Sequence, residues 1–341
     1  MQQIIYYQQI PGTHRNEFKK DLMMLDFKNE VIAADQRIRA SIRETPLEYS
    51  VPISKLTLTN CYLKCENLQH TGSFKVRGAL NTLLSLTPEE TQKGVVTASS
   101  GNHGAAVAFG IKKLNIPGVI FVPEQVSPTK ADNIRQYDAE LKFYGTDCVQ
   151  AELHALEYAN QHHKIYISPY NNAQVIAGQG TVGLELIKQL NQIDVILVPV
   201  GGGGLISGIA AFIKAVSPQT KVIGCLPEHS PVMSESIKAG TIIEMDTLPT
   251  LSDATAGGIE PGSITFNLCQ HYVDDWIQVS EQEIQNAMIT LIQTQHMLVE
   301  GASGVALAAL IKNAEHYSGQ NVVVVLSGAN ISLDTLKSVL S

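Results

Sequence analysis

Apolar positions along the chain fall into short runs whose spacing alternates between helical and strand types. Val31, Ile32, Ala34, Ile38 and Ile42 share one side of a predicted helix over 27–42. Residues 56–63 alternate and carry β-branched side chains, which predicts a strand. A helix over 75–84 follows, and Thr87-Pro88-Glu89-Glu90 reads as the cap and first turn of another. Residues 94–99 predict a short apolar strand, 100–104 a tight turn and 105–114 a small-residue helix. Strands at 117–122, 141–144 and 164–168 then alternate with helices at 128–137 and 150–161. A second such stretch begins near Asn171. There Gly178-Gln179-Gly180-Thr181 precedes a helix over 182–190, followed by a strand at 195–200, a helix at 205–216 and a strand at 222–226. Residues 248–266 are loop-rich. A strand at 275–279, helices at 281–297 and 303–317, and a buried-type strand at 322–326 complete the pattern. Strands alternating with helices predict an α/β chain with parallel sheets.

Composition narrows the class. With 341 residues, 44% of them hydrophobic, the chain is long enough for a large core and for two domains. The net charge of −8 and the absence of a Lys/Arg block exclude nucleic acid as a natural partner. Five scattered cysteines argue for a reducing compartment and against a disulfide framework, and Cys61-x-x-x-Cys65 reads as packing rather than a zinc site. No apolar run reaches membrane-spanning length. Residues 1–25 are polar and aromatic without a signal-peptide core, and are set apart as a leader expected to be disordered.

The chemistry concentrates in one lysine and three glycine-bearing turns. Lys75 lies between the polar turn Thr71-Gly72-Ser73 and an apolar helical run containing Val76, Ala79 and Leu80. A desolvated, neutral amine there suits carbonyl chemistry; a surface lysine snorkelling beside a core helix is the plainer alternative. The three turns each follow a predicted strand, at the sheet edge where open parallel sheets bind ligands. Gly201-Gly202-Gly203-Gly204 precedes a helix and offers converging N–H groups to a phosphate. It matches neither the dinucleotide fingerprint, because Ile206 and Ser207 replace the required glycine, nor the P-loop, because Ile209-Ala210 stand in place of Lys-Ser/Thr. Four successive glycines are conformationally costly, which favours a ligand over mere backbone approach. Ser99-Ser100-Gly101-Asn102-His103-Gly104 suits a carboxylate or is simply a capping turn. Ser327-Gly328-Ala329-Asn330 places a hydroxyl at a strand end. A lysine, a phosphate cradle, a carboxylate turn and a hydroxyl together match pyridoxal phosphate and an amino-acid substrate.

These segments, with Ile42-Arg43-Glu44-Thr45-Pro46-Leu47 and Ala177-Gly178-Gln179-Gly180-Thr181, resemble the fold-type II pyridoxal-phosphate enzymes. Within them the chain is similar to the threonine/serine dehydratase and serine racemase branch, whose Gly-Asn-His loop differs from the Gly-Asn-Thr usual in cysteine synthases. The resemblance covers about residues 31–336. It implies two open twisted parallel-sheet domains of the tryptophan synthase β-like type, with the cofactor in the cleft between them. The large domain would take residues 26–90 and 170–341, the small one 91–169.

The resemblance also implies roles. Lys75 would carry the cofactor as a Schiff base and later remove the Cα proton. Phe74 would lie against the cofactor ring, Asn102 would bond its hydroxyl, Ser327 its pyridine nitrogen, and Gly201, Gly202, Gly203 and Gly204 its phosphate. Glu300 matches a glutamate near the cofactor. Ser99, Ser100, Gly101, Asn102 and His103 would hold the substrate carboxylate. Ser100 occupies the position that racemases of the family use as the base opposite the lysine, where many biosynthetic dehydratases carry alanine. No metal site is expected, because Leu226-Pro227 replaces the Glu-Pro of cation-binding members and leaves Glu228 displaced. With few residues after Ser327, feedback through the C-terminal regulatory domain of the biosynthetic enzymes is not expected. The expected activity is elimination from L-threonine and/or L-serine by a cytoplasmic homodimer. The alternatives are serine racemisation and dehydration of another β-hydroxy or modified amino acid, such as hydroxyaspartate or an intermediate of hydroxyectoine breakdown. From other classes, a nucleotide-dependent oxidoreductase and a silent ligand-binding relative are the competing readings.

Overall fold

A computed structural model describes residues 26–341; the expected leader, 1–25, lies outside the described residues. Among the described residues ten strands form two sheets. Strands β1 (Leu47–Tyr49), β2 (Asn60–Cys65), β7 (Val195–Pro199), β8 (Lys221–Pro227), β9 (Asp275–Val279) and β10 (Asn321–Leu326) build one, in the order β1-β2-β10-β7-β8-β9. Only the edge pair β1–β2 is antiparallel. Strands β3 (Val95–Ala98), β4 (Gly118–Val122), β5 (Glu140–Phe143) and β6 (Ile165–Tyr166) build the other, in the all-parallel order β5-β4-β3-β6.

The order of the strands explains where the site lies. In the larger sheet the chain runs outward from β7 through β8 to β9, then returns to pair β10 on the other side of β7. In the smaller it runs from β3 through β4 to β5 and returns with β6 beside β3. Each reversal opens a crevice at the carboxyl ends of the strands flanking it, β7 and β10 in one sheet and β3 and β6 in the other.

Alternation along the strands feeds both faces of the larger sheet. Val322, Val324 and Leu326 join Leu63, Leu197 and Ile223 under the helices Glu281–Gln295 and Gly301–Lys312. Val323 and Val325 point the other way, with Ile196 and Val198, into the layer of Val182, Leu186, Ile206 and Ile209. The capping signals behave as read: Thr87 and Glu90 form a reciprocal capping box with Pro88 in the first turn.

Three expectations change. The strand expected over 56–63 is split. Val51–Thr57 is a helix capped by Ser50 with Pro52 in its first turn, Leu58 turns the chain in the left-handed region, and the strand starts at Asn60. The segment Gly178–Thr181 is not a turn before a helix; it lies inside a single helix, Ala173–Gln189. Its glycines serve close packing: a Cβ on Gly178 would stand 2.6 Å from the Gly78 Cα, and one on Gly180 2.9 Å from the Gly208 carbonyl oxygen. Finally, short helices at Val232–Ala239 and Leu333–Leu340 fall in stretches given no element. Among the described residues no helix is long and apolar enough to cross a membrane.

The helix contact at Gly208 is tight enough to test. A Cβ there would stand 2.2 Å from the Ile176 carbonyl oxygen. Gly208→Ala should destabilise the protein by about 1–3 kcal/mol through overpacking. Urea unfolding measures this, and an unchanged midpoint would contradict the packing described.

Candidate active site

Lys75 opens the helix Lys75–Ser85 directly after a backbone reversal. Thr71 and Gly72 both take left-handed conformations, with φ of 62° and 70°. The reversal is tied to the turn that follows β10. Ser73 bridges Gly328, the Phe74 N–H donates to the Ser327 carbonyl (3.1 Å), and the Ala329 N–H donates to the Gly72 carbonyl (2.9 Å). The lysine turn and the serine turn therefore form one unit. The Lys75 amine donates to the Pro169 carbonyl at 2.8 Å and stands 5.3 Å from the centre of the Phe74 ring. Desolvation lowers its pKa to about 8, against the opposing pull of Glu300.

Two residues beyond, Arg77 has no solvent contact. Its guanidinium binds Glu66 (2.7 Å) and Glu185 (2.8 Å), while Glu185 also takes Lys64 (2.6 Å). Two buried cations thus face two buried carboxylates, and half-buried Arg39 also reaches Glu185 (2.7 Å). Burial opposes ionisation of Glu185, yet Arg77 and Lys64 hold its carboxyl down at about 2. Nothing in the reading of the sequence found this network. The available signal was Arg77 itself, a charge among the apolar residues of a core helix.

The turn after β3 starts the helix Asn102–Leu114. Ser99, Ser100 and Gly101 are half-buried, and a Cβ on Gly101 would meet nothing within 4 Å, so the turn faces open space. His103 follows in the first turn of that helix. Its ring is buried and its Nε2 lies 3.1 Å from the Ile167 carbonyl, which assigns that nitrogen the proton. Burial, with the nearby Lys75 charge, pushes its pKa down to about 3. The neutral ring fixes the floor of the turn and offers an anion no donor. What His103 contributes to the turn is its backbone N–H in the first turn of the helix, with those of Asn102 and Gly104.

Gly201–Gly204 follow β7 and lead into the helix Gly204–Val216. Gly203 has φ 85°, and a Cβ on Gly202 would stand 2.5 Å from the Tyr170 ring. The loop is held from outside, because the Thr265 hydroxyl donates to the Gly202 carbonyl (2.6 Å) and the Tyr170 hydroxyl accepts from the Glu260 N–H (3.0 Å). Among the described residues, none of the four glycine N–H groups donates to a protein oxygen.

Ser327 ends β10. Its hydroxyl donates to Glu300 Oε1 (3.3 Å), and Asn102 Nδ2 donates to Glu300 Oε2 (2.8 Å). Asn330 Nδ2 donates to Asn102 Oδ1 (2.6 Å) and to the Thr71 carbonyl (2.8 Å). Glu300 is buried at the start of the helix Gly301–Lys312, and burial raises its pKa to about 7 although Asn102 and Ser327 lower it. Asn102, Glu300 and Ser327, far apart in the chain, are thus one hydrogen-bonded group.

Comparison with known proteins agrees with this geometry. The family profile described as "Pyridoxal-phosphate dependent enzyme" matches residues 38–328. The chain belongs to this family of pyridoxal-phosphate dependent enzymes. It is 37% identical over 312 residues to an L-threonine ammonia-lyase of Thermotoga maritima, covering 92% of this chain and 77% of that one. Among solved structures it superposes with a TM-score of 0.89 on the processed threonine deaminase isoform 2 of Solanum lycopersicum, at 34% identity over 94% of this chain and 92% of that one. Maize serine racemase gives a TM-score of 0.86 at 32% identity, covering 92% and 96%.

The residues present fit the cofactor. Free backbone N–H groups suit its phosphate, an amine of lowered pKa suits its aldehyde, and the buried hydroxyls Thr71 Oγ1 and Ser73 Oγ beside Lys75 have no protein partner. The chain is a pyridoxal-phosphate enzyme of fold type II.

The raised Glu300 carboxyl has a measurable consequence. Between its ordinary 4.5 and about 7 the folded chain keeps a proton that the unfolded chain has lost. This group therefore withdraws stability as pH rises through that window. Glu300→Gln removes the effect, so unfolding of the cofactor-free protein at about pH 5 and about pH 8 should show the variant gaining on the wild type at the higher pH. A difference that does not change with pH would contradict the assignment.

Proposed function

We propose that this chain eliminates water from L-threonine, L-serine or both, giving ammonia with 2-oxobutyrate or pyruvate. The observation that carries the reading is the pairing of Ser73 with Gly328, which brings Lys75 beside Ser327 at the crevice of the larger sheet. The named relatives, an L-threonine ammonia-lyase and a threonine deaminase, support the substrate class.

Bound pyridoxal phosphate supplies an electron sink for the charge left when the substrate Cα loses a proton. The chain's own residues do the rest. Lys75 is the amine that holds the cofactor, and once freed it removes the Cα proton. A pKa near 8 leaves an appreciable neutral fraction at ordinary pH and a conjugate acid able to give the proton back. Gly201, Gly202, Gly203 and Gly204 bind the phosphate through N–H groups at a helix N-terminus. Phe74 would face the ring of the bound cofactor, Asn102 would donate to its hydroxyl, and Ser327 would meet its pyridine nitrogen. A hydroxyl there, unlike a carboxylate, does not force that nitrogen to stay protonated, which favours prompt loss of the β-hydroxyl. Ser99, Ser100, Gly101, Asn102 and the His103 N–H hold the substrate carboxylate. The cofactor would be held between a large unit of residues 26–90 and 170–341 and a small unit of 91–169. Five free cysteines support a cytoplasmic location, and a homodimer is the assembly in keeping with the resemblance.

Serine racemisation is the second reading. Ser100 supports it, as does the similarity to maize serine racemase. Hydroxyaspartate and other modified amino acids belong in the same substrate panel.

Incubation with L-threonine, L-serine and D-serine should give 2-oxobutyrate from threonine, and Lys75→Ala should lower its rate by at least about 10³-fold, the scale of a lost general base. No 2-oxo acid from any of the three, with cofactor bound, would contradict the substrate assignment. Chiral analysis of serine incubations tests the second reading: Ser100→Ala should lower any D-serine formation far more than it lowers elimination from L-threonine.

A further inference from the structure

The Asn102 amide can sit either way round, and its immediate neighbour does not decide between them. Glu300 faces one end of the amide with a carboxyl that burial holds near 7. Ionised, Glu300 accepts from an amide NH2; protonated, it donates to an amide oxygen equally well. With Glu300 alone, protonation of the carboxyl could turn the amide over and withdraw the NH2 group from the cofactor side.

The tie is broken from the other end. Thr71 offers a backbone carbonyl, which can only accept, and Asn330 Nδ2 donates to it at 2.8 Å. That bond fixes which end of the Asn330 amide is the donor. The same Nδ2 reaches Asn102 Oδ1 at 2.6 Å, so a reversed Asn102 would set two NH2 groups against each other. We propose that Asn330 is a positioning residue: it relays the fixed polarity of the Thr71 carbonyl to Asn102 and keeps the Asn102 NH2 turned toward Glu300 and the cofactor. The relay joins the three turns of the site, because Thr71 belongs to the lysine turn, Asn102 to the turn after β3 and Asn330 to the turn after β10. Asn330 is exposed and lines a cavity of about 220 Å³ together with Thr71, Ala105 and Tyr137, so its side chain can change without opening the core.

This inference rests on the reading of Asn102 as a cofactor contact, and the test separates the two. The visible absorption band of the holoenzyme and its pH titration are measured for wild type, Asn330→Asp, Asn330→Ala, Asn102→Ala and the Asn102→Ala/Asn330→Ala pair. Both Asn330 variants should move the band and its titration in the direction of Asn102→Ala and lower kcat about tenfold, the worth of one hydrogen bond. Adding Asn330→Ala to Asn102→Ala should move neither further. If Asn102→Ala leaves the band in place, the reading of Asn102 fails and the proposal with it. If Asn102→Ala moves the band and the Asn330 variants do not, or if the pair is additive, the proposal alone fails. Loss of folding in both Asn330 variants would also overturn it, by assigning Asn330 to the fold.

Discussion

A guanidinium without access to water constrains everything around Lys75. Arg77 is satisfied only where Glu66, from the end of β2, and Glu185, from the helix Ala173–Gln189, both reach it. Removing one partner from such a pair costs about 3–5 kcal/mol, because the other charge stays buried. The cost makes the arrangement intolerant of slippage. Turning the helix Lys75–Ser85 by one residue would carry Arg77 away from both carboxylates. The close approach of Gly178 to Gly78 acts in the same sense on the next residue. Lys75, in the same helical turn, is therefore set in rotation and height by groups that never meet the substrate.

That fixed turn allows the dry site to form. The backbone of Gly72 and Phe74 pairs with the turn after β10, so the amine and the Ser327 hydroxyl share one crevice. The smaller sheet brings Asn102 to the same place, where it meets Glu300. Burial depresses the lysine and raises the glutamate. Both shifts raise the share of the neutral form, which suits the role proposed for Lys75 as nucleophile and base. His103, neutral and bonded to Ile167, gives the turn after β3 a floor without adding charge.

Much of this was legible because the chemistry lies in contiguous turns. Four glycines after an apolar strand, and a lysine between a polar turn and a core helix, carry their meaning in a few residues. The parallel sheets were legible for a similar reason, since strand and helix runs alternate with clear punctuation. The parts that escaped depend on distant contacts. The Gly178–Thr181 stretch looks like a turn until Gly78 and Gly208 are seen packing against it. The apolar alternation over 56–63 hides a helix end, because Leu58 takes a left-handed conformation that no local pattern announces. Which part of His103 serves the turn was not legible either, and its burial against Ile167 assigns the side chain to the fold. The Arg77 network and the Asn330 relay join segments more than 100 and more than 200 residues apart, respectively.

Two desolvated lysines, Lys64 buried and Lys75 half-buried, compete for the central role. Lys64 has no solvent contact and is also desolvated, but it is engaged by Glu185, Gln189 and the Thr45 carbonyl, whereas among the described residues Lys75 donates a hydrogen bond only to the Pro169 carbonyl. The most direct measurement is borohydride reduction of the cofactor-loaded protein followed by peptide mass mapping. Attachment at Lys75 alone is the predicted result. Attachment at Lys64 or at any other lysine would contradict the account.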